Sequence, residues 1–338
     1  MATLEDTARA LVAPDRGILA ADESTGTIKK RFDGIGVEST EENRRRYRQL
    51  LFTTPGLGTH ISGVILFDET IRQSTDEATP FPRVLEEAGV IPGIKVDAGA
   101  KPLALFPGET ITEGLDGLRE RLHEYHGLGA RFAKWRATLF IGDGLPTDFA
   151  LEANAYAMAR YAALCQEAGL VPIVEPEVLM DGDHHIDACE AATARTLQAL
   201  FRQLDAHRVD LPGTLLKVNM VLCGKGCARQ ADVAEVAAAT VRCLRANVPA
   251  EIPGIVFLSG GQSDEDATAH LSEMNKSAPH PWELSFSYGR ALQSPSLNAW
   301  RGDPANVPAA QAALAHRARM NGLARTGAYT AAQEDSAA

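Results

Sequence analysis

Ionisable side chains stand inside short apolar runs of this chain, and within each run they share a parity. Asp22 follows Ala20; Lys95 goes with Asp97, Lys134 with Arg136, Glu175 with Glu177 and Lys217 with Asn219. Residues two apart on a strand point to the same face, and charged groups are seldom buried without partners. Five such runs with both signs represented point to one shared space where the charges converge. The plainer alternative, five unrelated charges solvated at strand edges or tied in structural ion networks, suits any one run better than it suits all five.

Lys217 sits in Thr214-Leu215-Leu216-Lys217-Val218-Asn219-Met220-Val221, where an ammonium group is expensive unless its neutral amine is wanted. Burial and a nearby cation, for which Lys134 is the candidate, both favour the free amine, and a free amine can attack a ketone. The protonated imine that results draws electrons from the neighbouring carbon, so a carbon–carbon bond can break without a metal. Proton transfers are still required: Glu175 is placed to shuttle protons during carbinolamine dehydration, and Asp22 to take one from a substrate hydroxyl.

Two short glycine-bearing turns suggest anion binding. Leu258-Ser259-Gly260-Gly261-Gln262-Ser263 follows one apolar run and precedes a helical stretch whose N-terminus would add positive dipole, and Ser287-Tyr288-Gly289-Arg290 follows the next. A glycine pair is more often a plain tight turn, but its place after a seventh strand, with Arg290 after the eighth, favours phosphate.

The elements that must position these groups are legible as eight strand-like runs, starting near Gly17, Ser62, Ile91, Phe132, Val171, Thr214, Ile252 and Glu283. Between them lie helical spacings, such as Leu115, Leu118, Leu122 and Tyr125 closed by Gly127, or Ser39-Thr40-Glu41-Glu42 capping the stretch Asn43 to Phe52. Strand then helix, eight times, predicts an α/β fold of the (β/α)₈ TIM-barrel kind in a single domain. A doubly wound open sheet is the rival, but no Gly-x-Gly-x-x-Gly follows the first strand. A last helix is expected from Asn306 to Ala324, so the barrel domain is assigned residues 1–324. Residues 325–338, small and polar without periodicity, are assigned to a flexible C-terminal tail.

With 338 residues and 45% hydrophobic content, the chain can bury a large core. Its net charge of −11 gives no general attraction to nucleic acid or anionic membrane. No apolar stretch has the length of a membrane span, and the start Met1-Ala2-Thr3-Leu4-Glu5-Asp6 lacks the basic and apolar regions of a secretory leader, so a cytoplasmic protein is expected. The five cysteines are odd in number and not framework-spaced, which predicts reduced thiols. Cys223-Gly-Lys-Gly-Cys227 is at most half a metal site.

At this point a resemblance becomes specific. GILAADESTGTI, GIKVDAG, FAKWR, PIVEPEVL, GTLLKVNMV, FLSGGQS and SFSYGRALQ, in order from Gly17 to Gln293, resemble the successive signatures of class I fructose-1,6-bisphosphate aldolases. TEENRRRYRQLLF, GVILFDET, GLDGL and MDGDHH between them look like the same family. The resemblance implies Lys217 as the Schiff-base lysine, Glu175 as principal acid and base, Asp22 as base at the C4 hydroxyl and Lys134 as its electrostatic partner. By the same matching, Ser259, Gly260, Gly261, Ser287, Gly289 and Arg290 are similar to the C1-phosphate site, and Ser24, Thr27, Arg31, Lys95, Arg136 and Glu177 to other substrate contacts. It further implies a sugar phosphate substrate, no metal or other cofactor, and a homotetramer. Three departures stand out: Val218 follows the lysine where the family commonly has proline, Thr27 replaces the usual serine, and the sequence closes Gln-Glu-Asp-Ser-Ala-Ala where animal and plant members have a terminal tyrosine. The last puts tail-assisted proton transfer in doubt.

Other readings remain open on the sequence. A transaldolase or deoxyribose-phosphate aldolase would use the same lysine chemistry. A metal-dependent aldolase would draw on Asp183-His184-His185, and a non-catalytic barrel would be expected to have lost Lys217, Glu175 or Asp22.

Overall fold

In the computed structural model, which describes residues 2–335, eight strands close into a barrel with every neighbouring pair parallel. They are β1 (Gly17–Ala21), β2 (Ile61–Leu66) and β3 (Ile91–Lys95), then, after a hairpin of β4 (Ala100–Pro102) and β5 (Thr110–Thr112), β6 (Phe132–Leu139), β7 (Val171–Val178), β8 (Leu215–Val218), β9 (Gly254–Phe257) and β10 (Glu283–Tyr288). All eight expected runs are barrel strands. The β4–β5 hairpin was not foreseen: its strands have three residues each, β4 exposed and β5 partly buried, too short to carry a periodicity to detect. Most helices also fall as expected. Thr40 caps the helix Glu41–Phe52 by accepting from Asn43 N, and the last long helix is Val307–Ala324. The helix expected around Leu115 starts later, at Leu118, because Gly117 before it is left-handed (φ 65°).

The alternation of side chains explains both core layers. One parity (Leu19, Ala21, Val64, Leu66, Ala133, Trp135, Val174, Leu216, Ile255) packs outward against the helices. The other (Ile18, Ala20, Ile65, Phe132, Val171, Ile173, Leu215, Val256) fills the barrel's interior, joined by Ala8, Leu11 and Val12 from the first helix (Leu4–Leu11) and its end. That helix plugs the N-terminal mouth. Gly254 permits the approach, since a Cβ there would lie 2.6 Å from Val12 Cγ1, and Gly93 does the same for the Phe132 ring, at 2.3 Å. The charged residues singled out above continue the interior parity by two residues: Asp22 after Ala20, Lys134 after Phe132, Glu175 after Ile173, Lys217 after Leu215. The interior is thus apolar at its base and ionic toward the C-terminal ends of the strands, where barrels of this kind open to their ligands.

The segment assigned to the tail starts with an anchor. Arg325 is buried, and its guanidinium donates to the carbonyls of Arg16 (3.1 Å), Val12 (2.7 Å), Ala13 (3.2 Å) and Leu284 and to the Glu283 carboxylate (3.1 Å). Burial pulls its pKa down, and Glu283 works against that shift. Further along, Tyr329 is buried and donates to Glu334 Oε1 at 2.8 Å; Glu334 also pairs with Arg317 and lies 3.1 Å from His316 Nε2. Residues 336–338 of the expected tail lie outside the described residues. Removing the Arg325 donors while keeping the stem, in Arg325→Met, leaves several carbonyls without partners at the plugged end of the barrel. The expected loss is about 3 kcal/mol, on the scale of hydrogen bonds to a charged group. Urea unfolding followed by circular dichroism measures it, and an unshifted midpoint would deny the anchor its role.

Candidate active site

A cavity of about 840 Å³ opens at the C-terminal ends of the barrel strands, and all sixteen residues expected to act on substrate line it. At its floor the ions alternate in sign. Lys134 Nζ, on β6, lies 2.8 Å from Asp22 Oδ2, just after β1, and 3.2 Å from Glu175 Oε2 on β7; Lys217 Nζ, on β8, lies 3.2 Å from Glu175 Oε1. Lys134, Glu175 and Lys217 are nearly fully buried, while Asp22 keeps some access to the cavity. In the β6–β7 register Lys134 stands beside Ile173 and Arg136 beside Glu175, so Lys134 meets Glu175 diagonally across a two-residue offset.

Burial would raise the Asp22 pKa, but the Lys134 and Lys217 charges outweigh it and hold the carboxyl well below the usual carboxylate range. Burial would likewise lower the Lys134 pKa, and Asp22, Glu175 and Asp97 raise it instead above the ordinary lysine range. Lys134 is therefore a fixed cation with Glu175 between it and Lys217. A buried lysine with a carboxylate within reach, at the floor of an open cavity, can form and dehydrate a carbinolamine.

Above this floor, Lys95 donates to the Asp97 carboxylate (2.6 Å) and carbonyl (2.7 Å), and Arg136 pairs with Glu177. Ser24 Oγ and Thr27 Oγ1 stand 3.2 Å apart at the start of the helix Thr25–Asp33, and Ser24 caps no backbone amide. Ser259, Gly260 and Gly261 form a turn after β9, closed by Gln262 N donating to Ser259 O (2.9 Å), with both glycines at positive φ (24° and 84°). Across from it stand Ser287, whose buried hydroxyl has no protein partner, Gly289, and Arg290, whose Nη2 donates to Gln262 O at 3.0 Å.

Two expectations need correction. The helix after the turn (Asp264–Lys276) offers little positive field, because its first turn holds Asp264, Glu265 and Asp266 and Ser263 already caps Asp266 N. Asn219, grouped with Lys217 by parity, does not line the cavity: β8 ends at Val218, and the Asn219 amide instead accepts from Val178 N (2.9 Å) and donates to Thr193 (3.1 Å), bracing the end of β7.

Glu23 is a participant the sequence did not reveal. It lines the cavity, pairs with Arg31 and with Arg48 (2.6 Å), and accepts from Gln293 Nε2 (2.8 Å). Burial favours its protonation, but Arg48 and Arg31 prevail and lower its pKa. Its partners come from elements far apart in sequence, so neighbouring residues gave no sign of it. Phe67, Asp97 and Thr138 also line the cavity; Asp97 was visible beside Lys95, the other two were not. Asp183, His184 and His185 lie outside the cavity. His185 Nδ1 is 3.3 Å from Cys227 Sγ, and neither ring nitrogen of His184 has a partner. Among the described residues no three His, Cys, Asp or Glu side chains gather as a metal site.

A TIM barrel with a buried lysine beside a carboxylate, under glycine-bearing turns from its seventh and eighth barrel strands, has the architecture of an imine-forming lyase. Comparison with known proteins narrows this. The family profile described as fructose-bisphosphate aldolase class-I matches residues 3–338. A probable fructose-bisphosphate aldolase class 1 of Xanthomonas campestris is 60% identical, the match covering 96% of this chain and 98% of that protein. Fructose-bisphosphate aldolase 1 of Toxoplasma gondii is 55% identical, with 96% and 90% covered. A solved fructose-bisphosphate aldolase of Plasmodium falciparum superposes with a TM-score of 0.96 at 50% identity, covering 97% of this chain and 95% of that one. The chain belongs to the class I fructose-bisphosphate aldolases.

The electrostatics of the floor carry a testable sign. Without the Lys134 charge, burial gains against the remaining cations, so in Lys134→Met the Asp22 carboxyl titrates at a higher pH than in the parent protein. A folded pKa below the unfolded one adds stability that is present above the usual carboxylate range and lost as pH falls through the depressed value. The variant is accordingly expected to unfold at a higher pH on acidification. NMR titration of ¹³C-labelled aspartate reads the first effect directly, and an unmoved Asp22 would assign its ionisation to Lys217 and Lys95.

Proposed function

We propose that Lys217 forms the imine through which this class I fructose-bisphosphate aldolase reversibly cleaves fructose 1,6-bisphosphate to dihydroxyacetone phosphate and glyceraldehyde 3-phosphate. The observation that carries the assignment is the buried Lys217–Glu175–Lys134–Asp22 chain of contacts. The Lys217 amine adds to the C2 ketone, and Glu175, 3.2 Å away, passes protons as the carbinolamine loses water. Asp22 then takes the proton of the C4 hydroxyl; the C3–C4 bond breaks, the aldehyde leaves, and the electron pair is held as an enamine on C2 and C3. Protonation at C3 and hydrolysis of the imine release the second product and free the lysine. Lys134, held as a cation, keeps Asp22 ionised and so competent as a base.

The C1 phosphate is assigned to Ser259, Gly260, Gly261, Ser287, Gly289 and Arg290, and the remaining substrate contacts to Ser24, Thr27, Arg31, Lys95, Arg136 and Glu177. Anion-binding groups at both ends of one cavity favour a bisphosphate over a monophosphate. We further assign a homotetramer in the cytoplasm. Among the described residues no helix is long and apolar enough to cross a membrane. A 54% identical relative of Arabidopsis thaliana bears the name fructose-bisphosphate aldolase 4, cytosolic, and exposed Leu105, Phe149 and Tyr156 supply apolar surface for subunit contacts. Light scattering on eluting protein checks the subunit number.

Borohydride reduction in the presence of dihydroxyacetone phosphate is expected to leave a covalent adduct on Lys217, located by peptide mass mapping; an adduct on Lys95 or Lys134 would overturn the mechanism. Saturating EDTA should leave cleavage intact, since the protonated imine accepts the electrons a metal would otherwise polarise. Arg290→Ala is expected to weaken binding of dihydroxyacetone phosphate by about 2 kcal/mol, the scale of a charge-assisted contact to phosphate. Unchanged affinity in calorimetry would place the phosphate elsewhere.

A further inference from the structure

The turn after β9 is enclosed on its outer side by a pair of loops that the mechanism above does not use. Segments 180–184 and 224–226 are joined by backbone bonds: Lys225 N donates to Met180 O, Gly226 N to Gly182 O and Gly224 N to His184 O, each at 2.8 Å. Gly224 makes the approach possible, since a Cβ there would lie 2.5 Å from Gly182 O. The pairing fixes where the Met180 and Lys225 side chains begin, and both end at Gly261. A Cβ on Gly261 would meet Lys225 Cε at 2.6 Å, Met180 Sδ at 2.8 Å and Lys225 Nζ at 3.1 Å. The ammonium thus lies against the backbone of a residue that lines the substrate cavity. Its other neighbour is Asp181 Oδ1, at 3.0 Å, and both side chains are about half exposed (51% and 59%). Lys225 is therefore a flexible cation on an exchangeable carboxylate, parked beside the phosphate turn.

We infer that Lys225 is a further binding residue for the C1 phosphate, with Asp181 as the anion that competes for it. The inference rests on the reading that phosphate occupies the Ser259–Gly261 turn. A half-exposed lysine–carboxylate pair is worth little in water, so moving one of the three ammonium N–H groups from Asp181 to a phosphate oxygen costs little and gains a charge-assisted bond. The local field makes such a cation useful. The protein carries a net −11, and the helix after the turn opens with three carboxylates. Of the guanidinium groups that line the cavity, Arg31 is paired with Glu23 and Arg136 with Glu177, while Arg290 is engaged by Gln262 O. Asp181 keeps phosphate affinity below what Lys225 alone would give, which favours release of the phosphorylated product.

Two substitutions separate charge from packing. Lys225→Met keeps a stem against Gly261 and deletes the ammonium; Asp181→Asn deletes only the competitor. Inorganic phosphate is the probe, measured as a competitive inhibitor alongside KM and kcat for fructose 1,6-bisphosphate, with Arg290→Ala as the reference. Lys225→Met is expected to raise the phosphate inhibition constant and KM about threefold, the size of one partly screened charge pair, with a smaller change in kcat. Asp181→Asn should lower both by about twofold, and Lys225→Arg should restore the parent values. If the loops serve only to brace the turn, the two deletions move affinity in the same direction, which overturns the proposal. If Arg290→Ala weakens phosphate while Lys225→Met does not, Lys225 is no ligand and the phosphate reading stands. If none of the three moves phosphate affinity, the turn does not hold phosphate and the inference fails with that reading.

Discussion

Four charges occupy a stretch of barrel interior where the strand pattern would otherwise place apolar side chains, and each depends on the sign of the next. Removing an isolated ion from water costs several kcal/mol even after relaxation. The order Asp22, Lys134, Glu175, Lys217 gives every member an opposite neighbour at 2.8 to 3.2 Å, which makes their burial tolerable. The same order places Glu175 between two lysines, in contact with both, which is the arrangement the proposed imine chemistry uses. Much else serves this row of ions. The apolar base of the barrel and the plugging first helix exclude water from beneath it, and the shared inward parity of the strands brings its members together.

Much of this was legible in the sequence because a strand has a period of two. Lys134 and Arg136, or Glu175 and Glu177, could be assigned to one face from spacing alone, and all of them line the cavity. The rule failed where the strand stopped: Asn219 keeps the parity of Lys217, but β8 has ended one residue earlier, so the backbone no longer dictates its direction. Glu23 escaped for a different reason. It neighbours Asp22, yet its role is set by Arg31, Arg48 and Gln293, and such convergence has no local signature. The β4–β5 hairpin escaped because strands of three residues are too short to show a hydrophobic pattern. Arg325 looked like the beginning of a polar tail, since the carbonyls that hold it come from the other end of the chain and from β10.

The two regions to which we assign the substrate's phosphates differ in construction. On the β1 side, charge is fixed: Arg31 and Arg48 share the buried Glu23 carboxylate, and Gln293 ties that carboxylate to the strand. On the β9 side, the turn is built from glycines at positive φ with cations around its rim and acidic residues just beyond. One region is thus held by buried ion pairs and the other by a glycine turn with partly exposed charges near it.

Gln293 has a consequence for how the enzyme comes into being. Its side-chain amide donates to Ala20 O, 273 residues earlier, and to Glu23, while its carbonyl accepts from Arg48. The barrel itself closes only when β10 meets β1. During synthesis on a ribosome, the first strand and the ionised residues that follow it are made early and wait, with one edge of β1 unpaired, until the last strand and the helix carrying Gln293 have emerged. Contacts so distant in sequence are slow to close. A growing or truncated chain that ends before Gln293 can therefore hold Lys134, Glu175 and Lys217 and still lack an enclosed site, so catalytic competence arrives late and all at once, when the two ends of the chain are joined.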